Sequence, residues 1–249
     1  MIVADEFIML GKTVPDDRAD GRHFVCSAGY QRDLGLIRIY PLSRHASPKR
    51  WSQTSVLLER NPKDNRKESW RLAVDRAPDQ HAAANVRAFR TTGEVARNQR
   101  ATLIPDRYFV DSVAQANSER RSLALLRPQS AEINWTAPDA TKPLDVDQLE
   151  LISMHRPDGK PDRIPRLQFR DESGPHALQL RDWGMYELIR RYGLDYAGSH
   201  AADALHLSES STLLIGNLNA HRTTWLVISV LNLGAAQPAL FADLNMAAS

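Results

Sequence analysis

The sequence predicts an α+β, β-rich chain: two small OB- or SH3-like barrels, or a mixed antiparallel sheet with a few helices. Three observations lead there. About eight short segments carry strand patterns and about three carry helical ones, without the strict alternation that a parallel doubly wound sheet requires. Small turns rich in Gly, Asp and Asn separate the strands. A proline-bounded stretch, Pro138–Pro143, reads as a linker. It divides an N-terminal basic β-rich unit, 1–137, from a C-terminal acidic β-rich unit with one helix, 144–249.

The apolar block Ile2–Leu10 opens the chain, and a polar turn-rich segment, Asp16–Gly21, follows. His23–Tyr30 and Leu36–Tyr40 read as strands joined at hairpin length through Gly35, and Pro41 is expected to end the second ladder. Ser52–Arg60 is a third strand, and Trp70–Val74 alternates with period two. Between Thr92 and Arg127 the spacing turns helical in places. Val110, Val113 and Ala114 share one face, as do Leu123, Leu126 and Arg127. Leu149–Ser153 and Leu167–Arg170 are further strands about the turn at Gly159. Asp182 is a natural N-cap for a stripe of Met185, Leu188, Ile189 and Tyr192, which Gly193 stops. Thr212–Gly216 and Thr224–Leu231 are the last strands, before an Ala-rich tail.

The 32 basic and 30 acidic residues nearly cancel, but their distribution does not. Residues 60–128 hold 14 bases and 8 acids, whereas 129–249 hold 10 bases and 15 acids. Such asymmetry suggests a polyanion-facing side, and the acidic C-terminal half offers a surface for a protein partner. Arginine supplies 26 of the bases. Its planar fork suits phosphates and base faces, although a GC-rich genome also favours it. One cysteine, Cys26, excludes an internal disulfide and a Cys-rich zinc site. No apolar run is long enough to span a bilayer, and acids stand where a signal peptide carries bases, so a cytoplasmic protein is expected.

The segment Gly21–Ser43, GRHFVCSAGYQRDLGLIRIYPLS, carries Gly21-Arg22, a Cys26-Ser27-Ala28-Gly29 turn and a strand ending Ile37-Arg38-Ile39-Tyr40-Pro41-Leu42-Ser43. It resembles bacterial proteins with a dual OB-containing domain. Leu36 replaces the usual tryptophan, and Tyr40 stands between strand and proline. Asp182-Trp183 and Leu214–Asn217 are similar to the end of a related group. The resemblance implies two small barrels and a nucleic-acid context in phage defence, and supplies no catalytic set.

Candidate binding residues follow from residue type. Arg38 and Tyr40 should leave the barrel on the face opposite Ile37 and Ile39, offering a cation beside a ring. Lys49, Arg50 and Trp51, with Lys63, Arg66, Lys67, Trp70 and Arg71, interleave bases with indoles, as single-strand binding segments do. Gly216–Arg222 brings Asn217, His221 and Arg222 into one turn, where Asn can orient water, His can move a proton and Arg can hold a phosphate. Asp182 beside Trp183 has the parts of a carboxylate with a stacking ring, though a helix cap uses the same residue.

Phosphate-loop, dinucleotide, zinc-protease and nucleophile-elbow motifs are absent. A zinc deaminase needs more cysteines than one. The expectation is therefore a nucleic-acid binding protein, DNA before RNA, needing no cofactor or metal. The alternative is a metal-independent DNA glycosylase using Asp182, Asn217 and His221 on a modified base.

Overall fold

The computed structural model describes residues 1–14, 16–17, 23–43, 47–73, 88–137 and 163–233. The expected linker at 138–143, the strand expected at 149–153, the turn at Gly159 and the tail after residue 233 lie outside the described residues.

The N-terminal strands are β1 (Ile2–Lys12), β2 (Asp16–Asp17), β3 (His23–Gln31), β4 (Gly35–Ser43), β5 (Ser52–Arg60), β6 (Ser69–Leu72) and β7 (Phe89–Glu94). β1 pairs antiparallel with both β3 and β5, β3 pairs antiparallel with β4, β4 runs parallel to β6, and β6 pairs antiparallel with β5. These five strands therefore close a barrel, with β2 added to β3 and β7 to β5. A bulge between Ala4 and Phe7 lets one long strand face two partners, Ile2–Ile8 on β5 and Ile8–Lys12 on β3.

Helices α1 (Arg100–Leu103) and α2 (Val113–Ser118) flank β8 (Phe109–Val110), and β9 (Leu123–Leu126) and β10 (Ser130–Thr136) follow. β11 (Ile164–Asp171), β12 (Gly174–Leu180), helices α3 (Trp183–Tyr192) and α4 (Leu194–Leu205), β13 (Thr212–Asn217) and β14 (Trp225–Leu231) complete the described chain. The second sheet has the order β10-β11-β12-β14-β13-β9-β8. From β10 to β13 it repeats the order and sense of β1, β3, β4, β6 and β5, including one parallel pair, β12 with β14. The two roles of β1 are divided here. β9 pairs with β13 and β10 with β11, with Arg127, Pro128 and Gln129 between them. Pro128 has no N–H to give a ladder, so one continuous strand is broken at this point.

Three apolar clusters hold these layers. Phe7, Met9, Ile37, Ile39, Leu42 and Leu58 fill the barrel. Leu167, Phe169, Met185, Leu188, Leu213 and Val227 lie between the second sheet and its helices. Ile8, Leu10, Leu36, Leu123, Leu125, Leu214, Leu226 and Ile228 pack the outer face of the barrel on the outer face of the second sheet. Strands at this seam are apolar on both faces, which explains the unbroken runs Leu123–Leu126 and Trp225–Ile228. A fully buried aliphatic side chain of this kind contributes about 1.5–3 kcal/mol.

Several expectations change. Leu123, Leu126 and Arg127 do not share a helical face; Leu123–Leu126 is strand β9, paired on one side with β13 and on the other with β8. A short apolar run fits either period, and burial on both faces decides for the strand. β4 continues past Pro41 to Ser43, because a bulge at Tyr40-Pro41, opposite Cys26, carries the ladder on to Val25↔Leu42 and Phe24↔Ser43. Gly193 stops α3 as expected, at φ 85°, but it also begins α4. β8, β9 and β10 precede the boundary expected at 137, yet pair into the second sheet.

Candidate nucleic-acid interface

The β5–β6 loop, 61–68, is shaped by its own side chains. Asn61 Oδ1 accepts from Lys63 N (3.0 Å) and Asp64 Oδ1 from Arg66 N (3.1 Å), two Asx-type closures. Asp64 also accepts from Arg66 Nε (2.9 Å) and Ser69 Oγ (2.7 Å), and pairs with Arg66 Nη2 at 2.5 Å. Burial pushes the Asp64 carboxyl up, but the hydrogen bonds from Arg66 and Ser69 prevail and hold its pKa at about 2. The Arg66 guanidinium is thereby aimed at the Asn217 carbonyl (2.5 Å).

Asn217 ends β13 and is buried. Its Nδ2 donates to the carbonyls of Arg121 (3.2 Å) and Arg222 (2.9 Å), bracketing the β13–β14 loop, 218–224. The two loops then meet. Asn219 Nδ2 donates to Lys63 O (3.2 Å), and Arg222 Nη2 donates to Asn65 Oδ1. They occupy the same position in their two strand orders, the turn that precedes the last strand. Lys63, Lys67 and Arg222 stand exposed around the contact.

Arg38 lies beneath this junction. Ile37 and Ile39 do face the barrel core, so the alternation is as expected. The opposite face is not open, however: the second sheet covers it, and Arg38 is 4% exposed. Arg38 Nη1 donates to Asn217 O (3.1 Å), and Nη2 donates to Ser122 O. Ser122 Oγ donates to Glu68 Oε2 (2.7 Å). Burial, then the neighbouring Arg66, lowers the Arg38 pKa to about 10, so it stays cationic at neutral pH. Arg38 therefore ties the sheets together and presents no face to a ligand. Tyr40 is half-buried beside the loop, its carbonyl accepting from Asn61 Nδ2 (3.2 Å).

The other expected residues divide into two places. Trp70 is buried with the Arg60 guanidinium over its ring at 4.0 Å, and Arg71 pairs with Glu59 (2.6 Å). Both lie with Arg66 and Lys67. Lys49, Arg50 and Trp51 lie at the far end of β14. Arg50 donates to Val230 O (3.1 Å) and Asp182 Oδ2 (2.9 Å), Trp51 is buried under Arg100 (4.6 Å), and only Lys49 is exposed. Neither indole is an open stacking platform.

The three residues expected to be catalytic are not brought together. Asp182 is wholly buried. It accepts from Gly184 N (2.6 Å), Ser229 Oγ (2.6 Å), Val230 N (3.3 Å) and Arg50, capping α3 and docking it on β14. Asn217 pairs with Trp225, four residues from Ser229, or about 13 Å along the strand. His221 is exposed in the loop beyond. Both oxygens of Asp182 are engaged and out of reach of a substrate, and Trp183 is half-buried beneath Lys12 Nζ (4.0 Å).

Asp171, Ser173 and His176 have the composition of a hydrolytic triad without its geometry. Ser173 Oγ (3.1 Å) and Asp171 Oδ1 (2.9 Å) both meet His176 Nε2, whereas a relay needs both ring nitrogens. The cluster closes the β11–β12 hairpin. Among the described residues no group of three or more His, Cys, Asp or Glu could hold a metal ion.

Sequence reasoning missed Asp64 and Glu68, the acids that orient or neutralise the buried arginines, although both stand within the basic turn it singled out. It also missed Arg107-Tyr108-Phe109, where a base adjoins two rings.

Over residues 4–103 the chain is similar to a domain of unknown function (DUF8758). The matched span holds nearly all of the barrel, with β7 and α1, and ends before the second sheet. No curated protein matches the chain. No helix among the described residues is long and apolar enough to cross a membrane.

Proposed function

We propose that this protein binds nucleic acid, DNA in preference to RNA, through the joined β5–β6 and β13–β14 loops. The observation that carries the reading is their meeting at equivalent strand-order positions, with Lys63, Lys67 and Arg222 exposed around the contact. In OB barrels the loop between the fourth and fifth strands borders the oligonucleotide face, and β5–β6 is that loop here. The repeated strand order, with β9 and β10 as a split first strand, supports a second OB-like unit. It agrees with the resemblance to dual OB-containing proteins.

Binding is phosphate-led, so it weakens steeply with salt. In fluorescence anisotropy with labelled DNA, Lys63→Ala, Lys67→Ala and Arg222→Ala should each weaken binding for every sequence. Each should also reduce the slope of log affinity against log salt by about 0.7–0.9. Absence of binding at low salt, or slopes unchanged in all three variants, refutes the proposal.

A further inference from the structure

Three rings among the described residues do not stand bare. The Arg60 guanidinium lies over Trp70 at 4.0 Å, Arg107 over Tyr108 at 5.0 Å, and Arg127 over Phe109 at 3.9 Å, measured to the ring centroids. All three arginines are exposed, Arg127 with 59% of its side chain open. Each is also held at its edge. Arg60 Nη1 donates to Lys67 O, Arg107 Nη2 donates to Tyr108 Oη (3.3 Å), and Arg127 Nη2 lies 4.0 Å from Asp106.

The Arg60 and Arg107 pairs are joined by contacts, and Phe109 beneath Arg127 follows Tyr108 in the chain. Lys67, whose carbonyl holds Arg60, follows Arg66 in the chain, and Arg66 donates to the Asn217 carbonyl (2.5 Å). Arg121 pairs with Glu119 at 2.5 Å, and Arg121 Nη1 donates to Arg107 O (2.9 Å). The Arg121 carbonyl is one of the two that Asn217 brackets, so the band passes beside the proposed loops. Tyr108 is itself positioned from below. Tyr30 meets it edge-on at 5.6 Å, and a Cβ at Gly35 would come within 2.6 Å of its hydroxyl.

A guanidinium donates its hydrogen bonds in its own plane, so its flat face stays available for stacking. A ring beneath restrains the guanidinium at little entropic cost. Such a face accepts any base and adds charge for the adjoining phosphate. A duplex offers no base faces along its length, whereas a single strand does.

We propose that single-stranded nucleic acid runs along this band, from Arg60 to Arg127, with bases stacked on the guanidinium planes. This rests on the nucleic-acid reading above and names the form of the substrate and its contacts. The test compares a labelled oligo-dT with a strand of equal length made of abasic residues, and with a duplex, by anisotropy at one salt concentration. The wild-type protein should bind oligo-dT at least about fivefold more tightly than the abasic strand. Arg60→Lys and Arg127→Lys keep the charge but lose the plane. They should each reduce oligo-dT affinity about fivefold or more and leave abasic-strand affinity within twofold. Equal affinity of the wild-type protein for oligo-dT and abasic strand overturns the track and leaves phosphate-led binding standing. So does a duplex that binds more tightly than oligo-dT, with both lysine variants unchanged. Failure to bind any of the three overturns both proposals.

Discussion

Asp182 shows how a side chain with the chemistry of a catalyst is committed to structure. Its carboxylate accepts four hydrogen bonds from α3, Arg50 and β14. Asp182→Ala removes a cap and strands a partly buried arginine, so a loss of about 3–5 kcal/mol is expected in urea unfolding. Asp182→Asn keeps the shape and loses the charge, and should cost less. Asp64 makes a different prediction because its pKa is depressed, to about 2. An unfolded aspartate titrates near 4, so the stabilisation is complete above that pH and is lost as pH falls through about 2. Asp64→Asn should therefore flatten the acid limb of the stability curve between about pH 4 and 2, in denaturant midpoints measured against pH. A limb of unchanged steepness would remove Asp64 as its source.

At the scale of elements, the seam between barrel and second sheet depends on close approach. A Cβ on Gly11 of β1 would come 2.6 Å from Ser229 Cβ of β14, and neither backbone can yield without shifting its strand. Gly11→Ala should cost about 1–3 kcal/mol and lower the melting temperature by several degrees, in spite of alanine's better propensity. An unchanged melting temperature would mean that the two strands are less tightly seated. The helix α3 was legible, since Asp182, the apolar stripe and Gly193 are local signals. α4 was not, because Gly193 reads as an end and nothing in the sequence says the chain restarts there. β9 was misread because Leu-Ala-Leu-Leu has no period of its own.

For the whole molecule, one apolar cluster joins residues from β1, β3 and β4 to residues from β9, β13 and β14. The described parts therefore share a core, and a single cooperative unfolding transition is expected, with circular dichroism and tryptophan fluorescence coincident. Two separated transitions would show that the barrel and the second sheet are stable alone. The charge split read from the sequence also changes meaning at this scale. Two of the middle third's bases, Arg66 and Arg100, are largely buried, and Arg66 is neutralised by Asp64. The ligand-facing charge falls to a smaller set.

Sequence alone determined half of the described strands (β3, β4, β5, β6, β11, β13 and β14), the capped helix, the Gly35 turn and the side to which Ile37 and Ile39 point. Each is a local consequence of residue type and period. Tertiary structure alone decided what covers the other side of each strand. Arg38 leaves the barrel as alternation requires, yet meets Asn217 and Ser122, 179 and 84 residues away, instead of water. It also separated Asp182 from Asn217 and His221, and placed Arg60, Arg107 and Arg127 over their rings. Alternation fixes a direction from the backbone; what lies in that direction depends on pairing between distant strands, which local pattern does not encode.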